Sequence, residues 1–255
     1  MIANYHTHTP RCRHARGSEE EYIQAAIEAG MEALGFSDHT PQPFENGYYS
    51  KMRMYPEQLE EYMQTLRQLQ SKYAHQLKIH IGLETEYYPA CFPKLMEWVR
   101  QAGVEYMILG QHWLGNEEGE RHIFHAFEEP ERLVRYCDQA IEAMHTGVFS
   151  YFAHPDIANF VGDRDFYDKQ MIRLIREAKA CHLPLEYNLH GARCGCSYPD
   201  PHFWELVAAE GNPVILGRDA HDVFELKDEE TEAKGLEVLK RVGITPIARL
   251  ELKKP

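Results

Sequence analysis

A TIM-like α/β barrel is the fold the sequence predicts, and three observations predict it. Strand-like apolar runs and amphipathic helical stretches alternate about seven times, the pattern of parallel strands joined by right-handed crossovers. Metal-ligating residue types stand at the C-terminal end of run after run, whereas an open doubly wound sheet would gather function at one switch point. The length, 255 residues, suits one barrel, and no repeat or composition shift marks a second domain, so residues 1–255 are read as a single domain.

In chain order, Met1–Thr9 is the first strand. Ser18-Glu19-Glu20-Glu21 reads as an N-cap with a capping box, and the helix it starts carries Tyr22, Ile23, Ala26 and Ile27 at helical spacing. The second strand ends in Phe36-Ser37-Asp38-His39. A loop rich in Pro, Gly, Asn and Tyr, Thr40–Tyr55, follows and is long enough to be a lid or substrate loop. Pro56 suits a helix N1 position, and Leu59, Tyr62, Met63, Leu66, Leu69 and Tyr73 then mark one apolar stripe. Strand three, Leu77–Tyr88, leads to a helix from about Phe92 to Gly103, and strand four is Val104–Trp113. The polar loop Gly115–Glu129 contains Arg121, His122 and His125. A helix from Pro130 precedes strand five, which ends at His154. The helix Asp165–Ala180, strand six at Leu183–Leu189, a helix at Pro201–Glu210 and strand seven at Pro213–Leu216 complete the alternation. A helix near Asp228–Arg241 and an extended run, Pro246–Leu252, form the tail.

The chemistry is written at the strand ends. On an extended strand the side-chain period is two, so His6 and His8 project from one face and can hold one divalent ion. Asp38-His39, Glu84, His112, His154 and the pair Asp219/His221 end later runs, the last repeating the i, i+2 spacing of the first, and His14 lies in a polar turn nearby. His75, His80, His145, His182 and His202 fall in or beside helices or at strand starts and read as structural or solvated. His122, His125 and His190 fall on loops at the same end as the ligand types.

Composition bounds the partners. A net charge of -13 argues against a nucleic-acid surface but not against a small phosphorylated substrate, because a cluster of cations outweighs distant surface acids. No apolar run approaches a membrane span, and Met1-Ile2-Ala3-Asn4-Tyr5 lacks the basic and apolar regions of a secretion signal. The six cysteines lack a paired framework and read as reduced thiols, so a cytoplasmic protein is expected. Oligomeric state is not legible.

Taken together, His6-Thr7-His8, His14, Gly35-Phe36-Ser37-Asp38-His39, Gly82-Leu83-Glu84, His112, His154-Pro155 and Asp219-Ala220-His221 resemble the motifs of the polymerase and histidinol phosphatase (PHP) family. His6-Thr7-His8-Thr9-Pro10 followed by Cys12 and His14 resembles its monofunctional histidinol-phosphatase branch. The resemblance implies a distorted (β/α)7 barrel and three divalent ions drawn from zinc, iron or manganese. One ion would take His6, His8, Glu84 and Asp219. A second would share Glu84 and take His112 and His154, and a third would take His14, His39 and His221. Asp38, beside His39, would orient a ligand or handle a proton.

The implied reaction is hydrolysis of a small phosphate monoester, L-histidinol phosphate first, in histidine biosynthesis, by attack of a metal-bridging hydroxide with Glu84 as the bridging carboxylate. No covalent phosphoenzyme is needed and no nucleophilic side chain is assigned. Arginine suits phosphate because its fork matches two oxygens, which makes Arg193 the first candidate clamp and Arg218 the second. Arg218 departs from the family, which often has a small residue there. Arg11, Arg13 and Arg164 read as solvated charges. Glu86, Glu117 and Glu118 are candidates to meet the amino or imidazole group of histidinol. The alternatives are a PHP phosphoesterase acting on a nucleotide or another phosphorylated metabolite, an amidohydrolase-like barrel, and a non-catalytic metal-binding protein. The second lacks its bridging lysine, and the complete ligand set disfavours the third.

Overall fold

The computed structural model describes residues 1–45 and 47–255, so the loop Thr40–Tyr55 is described except for Asn46. One parallel sheet carries seven strands in chain order: β1 (Ala3–Asn4), β2 (Ala33–His39), β3 (Lys78–Thr85), β4 (Tyr106–Leu109), β5 (Phe149–Phe152), β6 (Leu185–Asn188) and β7 (Val214–Gly217). The sheet edges meet beyond β1 and β7, where Thr7 bridges Ala220: His8 N donates to the Ala220 carbonyl at 2.9 Å and Ala220 N to that of His6 at 3.2 Å. That contact makes the sheet the distorted TIM-like barrel the alternation predicts. The helices are α1 (Glu19–Glu28), α2 (Leu59–Lys72), α3 (Phe92–Ala102), α4 (Pro130–His145), α5 (Arg164–Ala180), α6 (Leu189–Cys194), α7 (Pro201–Glu210) and α8 (Glu229–Arg241).

The local signals act as read. Ser18 accepts from Glu21 N at 3.3 Å while the Glu21 carboxylate accepts from Ser18 N at 2.7 Å, so two orphan donors of α1 are satisfied. Pro130 and Pro201 open α4 and α7, and Gly103 ends α3 in the left-handed region at φ 69°. Two readings need correcting. The first strand is regular only over Ala3–Asn4; beyond it the pairing is broken, although Thr7 still bridges Ala220 and its carbonyl accepts from Ser37 N at 2.9 Å. Residues after β6 form α6 rather than a loop, since the Asn188 side chain accepts from Gly191 N at 2.9 Å and caps a helical turn.

At the N-terminal end of the strands the barrel is filled by Tyr5, Tyr106, Ile108, Tyr151 and Ile215, with Ile247, Leu250 and Leu252 of the tail packed against them. Each large side chain so buried contributes about 1.5–3 kcal/mol. The Tyr106 hydroxyl donates to the carbonyls of Tyr5 and Phe36, at 2.8 and 3.1 Å, so its polar end is satisfied. The tail is pinned by Ile247 N donating to the Val214 carbonyl at 2.8 Å. Two glycines make room at the opposite end. A Cβ on Gly110 would collide with the Glu84 carboxylate, and one on Gly217 with that of Glu186. Among the described residues, no helix is long and apolar enough to cross a membrane.

Candidate metal centre

The seven strands deliver their polar ends to the barrel mouth. His6 and His8 follow β1; Asp38 and His39 end β2; Glu84 lies on β3; His112, His154 and Asp219 follow β4, β5 and β7. Glu84 is the hub. Its Oε1 lies 2.9 Å from His154 Nε2 and 3.4 Å from His112 Nε2. Its Oε2 lies 2.9 Å from His39 Nδ1, 3.5 Å from His8 Nε2 and 3.6 Å from His6 Nε2. Asp219 Oδ1 stands 3.1 Å from His8 Nε2 and 3.4 Å from His6 Nε2. Donor atoms of His6, His8 and Asp219 lie within 4.8 Å of one another, as do those of His6, Glu84 and His154, and those of His14, His39 and His221. All nine residues read as ligands are therefore gathered at one mouth.

Behind the imidazoles stand groups that fix their orientation. Glu186 on β6 meets His6 Nδ1 at 2.8 Å, Glu86 meets His112 Nδ1 at 2.8 Å and Asp38 meets His8 Nδ1 at 3.4 Å. Asp38 also accepts from Thr9 and from His39 N. It thus stands behind a ring read as a ligand. His154 and Asp219 adopt left-handed backbone at φ 36° and 47°, which costs a non-glycine residue of order 1–3 kcal/mol. Glu186 Oε2, accepting from His154 N at 3.1 Å, and Asn188, donating to Asp219 Oδ2 at 3.0 Å, hold them there.

The electrostatics favour anionic carboxylates. Burial would raise Glu84, but the imidazoles of His112, His39 and His6 hold it well below the usual carboxylate range. Asp219 is likewise raised by burial and lowered further by His6, His221 and His8. Burial lowers His8, yet Asp219 and Asp38 lift it to about 9. Burial, with His8 and His112 against the opposing pull of Glu84, drops His39 to about 3. Crowded imidazoles cannot all carry protons.

Five inward atoms, His6 Nε2, His8 Nε2, Glu84 Oε2, Asp219 Oδ1 and His221 Nε2, are buried without a hydrogen-bond partner. At roughly 1–3 kcal/mol each, such orphans would cost an amount comparable to the whole stability of a domain. Imidazole nitrogens and carboxylate oxygens converging this way are the donor set of borderline divalent ions, and the residues present fit such ions.

Several other expectations are corrected. Arg193 is paired with acids: its Nε donates to Asp228 Oδ2 at 2.8 Å and its Nη1 lies 3.1 Å from Glu225 Oε1. Arg218 is buried and turned outward, donating to Glu232 and to the Asp228 carbonyl. Both guanidinium groups are paired with acids in this structure. Arg11 is not solvated but paired with Glu19 and Glu61. Arg13 is exposed, as read, and donates to the carbonyls of Ser50 and Arg53. The arginine that the residue pattern did not single out is Arg53, on the Thr40–Tyr55 loop. It is buried and bonds both Glu86, with Nη1 to Oε2 at 2.6 Å, and Glu117, with Nε to Oε2 at 3.1 Å. Glu86 and Glu117 are thereby committed to Arg53 rather than to a substrate. Of the histidines read as lying on loops, His190, on α6, lies 4.9 Å from the His221 ring and His122 5.4 Å from that of His112.

Fold and cluster together define an α/β barrel whose mouth carries donor sets for divalent ions. The PHP domain matches residues 4–190, and the chain belongs to that family. The chain is 28% identical over 239 residues to a Deinococcus radiodurans protein named "Probable histidinol-phosphatase", covering 88% of each. It is 26% identical to a protein of the same name from Schizosaccharomyces pombe, covering 98% of this chain and 90% of the relative. In fold it is similar to a Lactococcus lactis histidinol phosphate phosphatase solved with zinc, L-histidinol and phosphate. That likeness has a TM-score of 0.76 at 19% identity and covers 98% of this chain and 97% of the other.

Proposed function

We propose that the protein is a metal-dependent phosphoric monoester hydrolase that converts L-histidinol phosphate to L-histidinol and phosphate. The observation that carries this reading is the Glu84 carboxylate, buried among five imidazoles at 2.9–3.6 Å with its own Oε2 unpartnered. Similarity along 88% of the chain to a relative carrying the histidinol-phosphatase name supports the substrate. His6, His8, Glu84 and Asp219 would hold one ion, Glu84, His112 and His154 a second, and His14, His39 and His221 a third, as zinc, iron or manganese. When bound, such ions supply an activated water and positive charge against the phosphate oxygens. The free cysteines and acidic surface support a cytoplasmic enzyme of a small phosphorylated metabolite.

The chain's own residues do the positioning. Glu186, Glu86 and Asp38 fix the ring and tautomer of His6, His112 and His8, leaving each Nε2 free to ligate. His122 accepts from Phe124 N at 3.2 Å through Nδ1, so its neutral ring carries the proton on Nε2. Burial, with His112 beside it, keeps that ring neutral by lowering it to about 2. Its Nε2–H is a donor at the rim beside His112. A panel of phosphorylated metabolites at fixed Mn²⁺ tests the reading. Histidinol phosphate should give the highest kcat/KM. Negligible turnover of it beside strong turnover of a nucleotide or another ester would transfer the site to that substrate.

A further inference from the structure

We propose that the three ion positions are unequal, and that the one formed by His14, His39 and His221 is a weak, exchangeable position that fills and empties independently of the pair around Glu84. This rests on the metal-centre reading above. It is carried by what stands behind each imidazole, by the charge each position supplies, and by exposure.

Behind His6, His112 and His8 stand the carboxylates of Glu186, Glu86 and Asp38 at 2.8, 2.8 and 3.4 Å. Behind His14 stands only the Cys12 carbonyl, at 2.9 Å from Nδ1; behind His221 stand the Asp219 carbonyl, at 3.1 Å, and Asp219 Oδ1, at 3.4 Å, an oxygen already shared with His6 and His8 rather than a carboxylate of its own. A carboxylate raises the basicity of the imidazole and orients it more firmly than a neutral carbonyl does. The difference extends to the ligands themselves. Glu84 and Asp219 give the first two positions anionic oxygens, whereas the third group is made of three imidazoles. Exposure runs the same way. His6, His8, Glu84 and His154 are buried, while His14 is exposed and His221 half-buried. Each difference lowers the affinity of the outer position and lets water and competing chelators reach it.

Loss of carboxylate backing costs roughly 10- to 100-fold in metal affinity. Protein equilibrated with Mn²⁺ and dialysed against a graded series of chelator buffers, with metal counted by elemental analysis, should therefore release its ions in two steps. The first should remove one equivalent at a free-metal level about 10- to 100-fold higher than the second. His14→Ala, checked for native fold by circular dichroism, should lack the first step and keep the second unchanged; His14→Gln provides the same comparison if the alanine variant does not fold. Glu186→Gln should shift the second step toward higher free metal and leave the first in place. Release of all ions in one step, or loss of every ion in the His14 variants, would overturn the proposal while leaving a metal centre. Absence of any bound ion after equilibration would overturn the metal-centre reading itself, and this proposal with it.

Discussion

The two ends of the barrel are made from the same seven strands and are chemically opposite. At the floor, Tyr106 and Tyr151 fill the interior between aliphatic residues, and the Tyr106 hydroxyl is satisfied by two carbonyls. At the mouth, buried polar atoms of His6, His8, Glu84, Asp219 and His221 have no partner, and His154 and Asp219 sit in left-handed backbone. A fold optimised only for stability would not place its orphans together at one end. The floor is where the chain stabilises the barrel, and the mouth is where stability is given up for donor atoms.

The contrast is broken most severely at Glu84. Glu84→Gln keeps shape but removes the charge that the imidazoles converge on. Hydrolysis should fall by at least about a thousandfold, equivalent to roughly 4 kcal/mol of barrier. Bound metal should fall too, while the far-ultraviolet circular dichroism stays native. Full activity in this variant would refute the bridging role. The converse change, Tyr106→Ala, should cost about 3–5 kcal/mol in denaturant unfolding and leave metal stoichiometry intact in the folded protein. If it strips metal from a folded barrel, the two ends are not the separate regions described.

Legibility followed the same division. Strand tips announce themselves, because a ligand-type residue after an apolar run is easy to see, so all nine residues that meet at the mouth were readable. Of the groups behind them, Asp38 was readable beside His39, but Glu186 and Glu86 were not. Glu186 lies inside β6 and Glu86 just beyond β3, where a carboxylate in a strand-like run has no visible partner until the sheet closes. Arg53 was hidden for the same reason: only folding of the loop brings it to Glu86 and Glu117. Arg193 and Arg218 differ in the opposite way. Their residue type suits phosphate, but direction is set by the acids of the α8 side, and the departure of Arg218 from the family pattern was the one sign of it.

A milder test separates ligands from the groups that hold them. Asp38→Asn leaves every proposed ligand in place but weakens the hold on His8 Nδ1. Metal affinity should drop about 10- to 100-fold, with activity restored by excess Mn²⁺. Loss that added metal does not restore would instead give Asp38 a direct part in proton transfer, the other role its position beside His39 allows.

The smallest expected effect lies on the α8 side, where Asp228 accepts from Thr231 N at 3.0 Å as the helix cap and from Arg193 Nε at 2.8 Å. Burial would raise this carboxyl, but the Thr231 hydroxyl and N–H, with Arg193, hold it at about 2. A depressed folded value means that its contribution is present above the unfolded value of about 3.8 and fades as pH falls through about 2. Asp228→Ala should therefore cost about 1 kcal/mol near neutrality. The gap from wild type, followed by denaturant unfolding, should narrow steadily from about pH 4 toward pH 2. The kcat and KM for histidinol phosphate should not change, because the contact lies outside the mouth. A rise in KM at unchanged stability would show that Arg193 reaches the substrate after all, and would move the boundary between the two regions to include α6 and α8.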